Sequence, residues 1–203
     1  MKQKVYLIRH GHTAGTEEKI MYGATELPVT EAGLDEIRKL AELGVYPDPQ
    51  GAHIYTSGMY RTEQTLEAMY GEIAHDTEPL LREVNIGQFE MMPFSEVMND
   101  EYGAAWFRGE IPEEELSFIG GDSMPGFDER VNRGFRNIVD AGDERAIAVI
   151  HGGVISFIMR KLFPGVCDDV WEWTPQPGLG YEIDLEDGKA TGWSDLTIMQ
   201  SNT

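Results

Sequence analysis

The chain has 203 residues, 41% of them hydrophobic, and a formal charge of -20 from 36 acidic against 16 basic side chains. That balance fits a folded domain rather than a disordered chain, and the average surface repels nucleic acid and anionic lipid. Any anion the protein binds must be drawn by a local cluster of positive charge. A single cysteine, Cys167, leaves no internal disulfide framework and fits a reducing compartment. The apolar run at 5–8 is too short for an export signal or a membrane span, so a cytoplasmic protein without membrane or nucleic-acid partners is expected.

Residues 4–9 (KVYLIR) read as a strand buried on both faces that ends abruptly at Arg9, His10 and Gly11. The spacing of Leu34, Ile37, Leu40 and Ala41 predicts a helix over 30–44, with Thr30 as cap and Gly44 as stop. AHIYTS (52–57) is a second strand, followed by a helix from about 59 to 73 with Leu66, Met69, Tyr70 and Ile73 at helical spacing. Phe127, Val131, Phe135, Ile138 and Val139 mark another helix, and AIAVI (146–150) is the wholly apolar kind of strand that parallel sheets bury. GVISFIMRKLF (153–163) continues as a helix stopped by Pro164-Gly165, and YEIDLEDGKATGW alternates around Asp187-Gly188 as a hairpin does. This order implies an α/β fold with a mostly parallel sheet, helices on both faces and room for an antiparallel edge. No repeat or linker divides the chain, so one domain is expected over 1–203. Residues 85–125, rich in Met, Phe, Trp and acidic side chains but weakly periodic, read as a cap inserted beside the sheet.

In open parallel sheets, ligands bind beyond the carboxyl ends of the strands, where loops and helix starts offer unpaired N–H groups. Three strand ends deliver chemistry there: Arg9-His10-Gly11, Ser57 leading to Arg61, and His151-Gly152-Gly153. Arg61 falls in the first turn of a helix, where a cation opposes the macrodipole by about 0.3–1 kcal/mol and a bound anion would reverse the sign. Glycines after His151 let a ligand approach the backbone closely. The edge reads as built for phosphate. A histidine there either hydrogen-bonds the anion or attacks phosphorus, and the second role requires arginines on the oxygens and a separate acid for the leaving group. Glu83, between an apolar pair and a glycine, is the candidate acid.

RHGHT (9–13), SGMYRTEQT (57–65), LLREVNIGQFE (80–90), GGDS (120–123) and HGGVI (151–155) together resemble, in order, the signatures of the histidine phosphatase (phosphoglycerate mutase-like) superfamily. The resemblance implies a three-layer α/β/α sandwich and no metal or other cofactor. It also implies that His10 is the phosphorylated nucleophile, that Arg9, Arg61 and His151 hold the phosphate, and that Glu83 is the proton donor. Gly11, Gly152 and the loop around Thr16 and Gly23 would line the pocket. The chain departs from the family pattern at His12, Thr16, Gly58 (usually proline) and Met91 (usually glycine), outside the phosphate-holding set.

Mutases of the family resemble longer chains with a basic cap, whereas here Arg108 is the only basic residue between 85 and 126, among nine acidic ones. A phosphomonoester hydrolase is therefore expected, acting on a small phosphorylated metabolite with a neutral or cationic remainder. Mutase-type transfer and non-catalytic phosphate binding are the alternatives. Taken singly, His12, His53 and His75 read as structural, and the Met and aromatic cluster at 89–107 as cap core. A serine esterase would need a GxSxG elbow and a cysteine phosphatase an arginine where Trp173 stands; neither motif is present, nor is a phosphate-cradling P-loop. The oligomeric state is not legible, and a homodimer stays open.

Overall fold

The computed structural model describes residues 1–167 and 169–197. Strand β1 (Lys2–Arg9) sends Val5 and Leu7 to one face and Tyr6 and Ile8 to the other, all buried, as a strand covered on both sides must. A short helix α1 (Ala14–Glu18), a two-residue strand β2 (Ile20–Met21) and helix α2 (Glu31–Glu42) follow. The Thr30 side chain accepts from Gly33 N and caps α2, and Gly44 turns the chain at φ +71°. Next come β3 (His53–Thr56), α3 (Tyr60–Tyr70) and β4 (Asp76–Thr77). Helix α3 is shorter than the expected 59–73 because Gly71 breaks it at φ +73°.

The cap is built from short pieces: a 3-10 turn at Gly87–Phe89, β5 (Met92–Pro93) paired antiparallel with β2, α4 (Phe94–Val97) and α5 (Glu101–Phe107). Elements this short cannot display a hydrophobic period, which is why the sequence shows none. Helix α6 (Met124–Asp140) starts within the stretch assigned to the cap, since Ser123 caps it by accepting from Gly126 N. Then β6 (Arg145–Ile150), α7 (Gly152–Leu162), a 3-10 turn at Val170–Trp173, β7 (Gly180–Glu186) and β8 (Lys189–Asp195) complete the fold. Asp187 and Gly188, both at positive φ, form the hairpin turn the sequence announced.

The sheet runs β4-β3-β6-β1-β7-β8, with β4, β3, β6 and β1 mutually parallel and β7 and β8 antiparallel. Ile37 of α2 and Leu66 and Met69 of α3 pack against Tyr6, Ile8, Ile54, Ile147 and Val149 on one face. On the other, Phe127, Val131 and Phe135 of α6 and Ile155 and Ile158 of α7 cover Val5, Leu7, Ala148 and Ile150. The result is the expected three-layer α/β/α sandwich. Cap residues Phe89, Val97 and Phe118 join the second of these cores.

Register decides where the chemistry falls. Arg9 pairs with Ile150 and Thr56 with Val149, so β1, β3 and β6 end abreast. The residues that follow, His10, Ser57 and His151, are thereby delivered side by side.

Candidate active site

His10 N–H donates to Ile150 O at 3.0 Å, and the side chain is 3% exposed. Its Nδ1 lies 2.8 Å from the carbonyl oxygen of Gly11. A carbonyl only accepts, so Nδ1 carries the proton and the lone pair sits on Nε2. Burial, and then the charges of Arg61 and Arg9, push the imidazole well below its ordinary pKa of 6.5 and keep it neutral.

The His151 ring is fully buried, 5.3 Å from that of His10 between centroids and inclined at 61°. Its Nδ1 accepts from Arg61 Nε at 3.2 Å, which leaves the proton of the neutral ring on Nε2, donated to Ser57 Oγ at 2.8 Å. Ser57 Oγ is 3.2 Å from Thr62 Oγ1, whose hydroxyl donates to Met59 O. This chain of donors fixes the tautomer. Burial, Arg61 and His10 lower the pKa of His151 well below 6.5.

Arg61, also fully buried, donates through Nη1 to Thr25 O at 3.0 Å and through Nη2 to Gly23 O at 2.6 Å, and stands 5.3 Å over the Tyr22 ring. These carbonyls and the ring offset the cost of a buried cation at a helix start. Arg9 donates to Pro175 O at 2.8 Å, while its Nε is buried with no hydrogen-bond partner. A Cβ at position 152 would fall 3.1 Å from that Nε, so Gly152 is what lets α7 begin against the guanidinium. An orphaned buried donor of this kind is what an anion site presents.

Glu83 is half-buried. Its Oε2 accepts from Gly153 N at 3.0 Å, one of the amides left without an intrahelical partner at the start of α7. Arg130 braces the loop: Nη1 donates to Leu80 O and Arg82 O, and Nη2 reaches Asp122 Oδ2 at 3.2 Å. Asp122 accepts in turn from Asn85 N, so both flanks of Glu83 are held.

A cavity of about 250 Å³ opens onto Arg9, Glu83, Gly152 and Gly153, and its remaining wall is mostly apolar and aromatic. His10, Arg61 and His151 are not among the residues that line it. A larger concavity, about 650 Å³, sits at the opposite end of the sheet beside Lys2, Lys4, Asp184 and Glu186 and carries none of these groups. Size alone would mislead here; the convergence of rings and guanidiniums locates the site.

Four other expected pocket residues fall in distinct places. Gly152 faces the cavity. Gly11 donates its N–H to Thr65 Oγ1 at 3.0 Å and shapes His10 through its carbonyl. Gly23 gives its N–H to Glu90 and its carbonyl to Arg61, so it holds the guanidinium instead of offering an amide to a ligand. Thr16 is occupied in a capping box with Thr13. His12 lies 3.6 Å from Glu36, and His53 and His75 are bonded to surface carboxylates.

The most connected residue that sequence reasoning passed over is Glu90. Its carboxylate accepts from the amides of Gly23, Ala24, Thr25 and Ile86 and from the Thr25 hydroxyl at 2.6 Å. Burial works to raise its pKa, but these bonds prevail and hold it below the usual carboxylate value. Nothing in a glutamate's type announces which distant amides it will collect. Ser57 was more legible, since it directly follows a strand in the site's own layer.

The sequence pattern of the Histidine phosphatase superfamily (branch 1) matches residues 5–193, and the chain belongs to that family. It is similar to a protein of Cronobacter sakazakii named "Probable phosphoglycerate mutase GpmB", 29% identical over 174 residues that span 78% of this chain and 74% of that one. "Phosphoglycerate mutase-like protein 4" of Arabidopsis thaliana is 25% identical over 168 residues, covering 79% and 71% of the two chains. Among solved structures, the alpha-ribazole phosphatase of Shigella flexneri superposes with a TM-score of 0.79 at 22% identity, covering 93% of this chain and 94% of that one. A phosphoglycerate mutase of Thermus thermophilus does so at 0.69 and 25%, covering 94% and 98%.

Proposed function

We propose that the protein hydrolyses phosphomonoesters through a phosphohistidine on His10. The observation that carries this reading is a neutral His10 with its lone pair on Nε2, set beside His151, the buried Arg61 guanidinium and Arg9. In the first step Nε2 forms a bond to phosphorus as the ester P–O bond breaks. Arg9 and Arg61 take up charge on the equatorial oxygens, and the Glu83 carboxyl gives its proton to the departing oxygen. His151 orients Arg61 and offers the Nε2–H it shares with Ser57. In the second step Glu83 removes a proton from water, the water oxygen bonds to phosphorus, and the N–P electron pair returns to Nε2, releasing phosphate. The cycle draws on no metal or cofactor.

The acidic cap favours a small substrate whose remainder is neutral or cationic, because Arg108, its only basic residue, is already paired with Glu110 through two hydrogen bonds of 2.6 and 2.7 Å. A mutase must retain a second anionic group between its two transfers, and this cap supplies no unpaired cation for one.

Rapid quenching with p-nitrophenyl phosphate should trap an acid-labile phosphoryl group on the His10 peptide, and His10→Ala should abolish both adduct and turnover. Parent-rate hydrolysis by His10→Ala defeats the nucleophile assignment. Faster turnover of phosphoglycerates than of neutral-tailed esters restores the mutase.

A further inference from the structure

The cavity that opens onto Arg9 and Glu83 has a wall suited to one kind of leaving group. Trp106 and Phe107 come from α5 in the cap, and Trp171 from the turn after α7. Trp106 and Phe107 lie 4.5 Å apart between centroids, and Trp106 is backed by Phe118 at 4.7 Å and Phe89 at 6.2 Å. Trp171 rests against Phe157 at 6.3 Å. Phe107 and Trp171 nevertheless stay 41% and 40% exposed. Apolar rings left open to water on a supported platform mark a binding surface, and here the surface adjoins the reactive groups.

The polar groups on the wall narrow the choice. Among the described residues, Arg9 and Glu83 are the only charged side chains on it. Tyr22 accepts from the Thr13 hydroxyl at 2.7 Å, and Thr174 Oγ1 lies 2.8 Å from Ser156 Oγ. A second anion finds no cation here, and a polyol finds few partners for its hydroxyls.

Resting on the hydrolase reading above, we propose that this cavity selects phosphomonoesters whose leaving group carries a flat, uncharged aromatic ring, held by Trp106, Phe107 and Trp171. Such a ring would gain from leaving water and from offset or edge-to-face pairing with the rings of the wall.

Titration calorimetry with two phosphonates that cannot be hydrolysed tests this without turnover. The wild-type protein should bind 2-phenylethylphosphonate about tenfold more tightly than ethylphosphonate, or better, a difference of roughly 1.4 kcal/mol. Phe107→Ala and Trp171→Ala should each lower that ratio by about threefold or more, roughly 0.65 kcal/mol by the same conversion. Ile119→Ala, an exposed apolar residue off the cavity wall, should leave it unchanged. Equal affinity for the two phosphonates in the wild type overturns the proposal whether or not the variants fold. So does a ratio that survives both aromatic substitutions, or tighter binding of 3-phosphonopropionate than of either probe. Aromatic preference in a protein that releases no phosphate from any ester would instead sink the hydrolase reading and leave the pocket assignment standing.

Discussion

Arg61 Nε donates to His151 Nδ1 across 3.2 Å, and the same guanidinium is held by two backbone carbonyls from the 23–25 segment. Three elements are thus joined through one planar, permanently charged group. Lysine has neither the fork nor the reach to satisfy all three acceptors. Arg61→Lys should therefore lose about 10²–10³ in kcat, the scale for removing one preorganised donor to an oxyanion, with KM moving less. Steady-state kinetics at saturating ester checks it, and a loss confined to KM would show that Arg61 only binds.

Glu83→Gln keeps an acceptor for Gly153 N but cannot give up a proton. With an alkyl ester the variant should be slower by about 10² or more. With p-nitrophenyl phosphate, whose departing phenolate needs little protonation, the burst of adduct formation should be far less affected. Equal losses on both esters would mean that the carboxylate acts on something other than the leaving oxygen.

Because His10 is held neutral well below pH 6.5, its nucleophilic form persists as the solution turns acid. The acid limb of kcat/KM, corrected for the ester's own ionisation near about pH 6, should lie clearly below 6.5. A limb centred at 6.5 in the wild-type enzyme would contradict the buried, neutral ring.

His53 behaves in the opposite sense. Its two ring nitrogens meet Asp143 and Asp76, each at 2.7 Å; burial works against the charge, but these hydrogen bonds prevail and raise the pKa above 6.5. A raised folded value means that the stabilisation is fully present below pH 6.5 and is lost as pH rises through the folded pKa. The melting-temperature gap between the wild type and His53→Gln should thus be widest near about pH 6 and should narrow by about pH 9. A gap that widens with pH refutes the charged clamp.

Much of this was legible in the residues. Runs such as KVYLIR and AIAVI read as buried strands, and the polar residues just beyond them meet at one sheet edge because the strands are parallel. What escaped was set by long-range bonds. The Gly11 amide is taken by Thr65 and the Gly23 amide by Glu90, so two glycines expected to line a pocket instead position His10 and Arg61. The cap was visible only as an interruption, because its pieces are shorter than the periods by which helices and strands are recognised. Met91 illustrates the limit from the other side. At φ +62° it takes the left-handed conformation that a glycine would adopt freely, and its side chain gave no sign of that backbone.

The Glu90 carboxylate has a consequence for engineering. It gathers amides from residues 23–25 and from residue 86, and the carbonyls of Gly23 and Thr25 are the ones that grip Arg61. A foreign cap spliced in upstream of Glu90 would remove this anchor and leave the guanidinium's supports adrift, whatever the incoming sequence. The workable seam lies beyond Met91, where the cap pieces between the anchor and the start of α6 can be exchanged while residues 86–90 travel with the catalytic half.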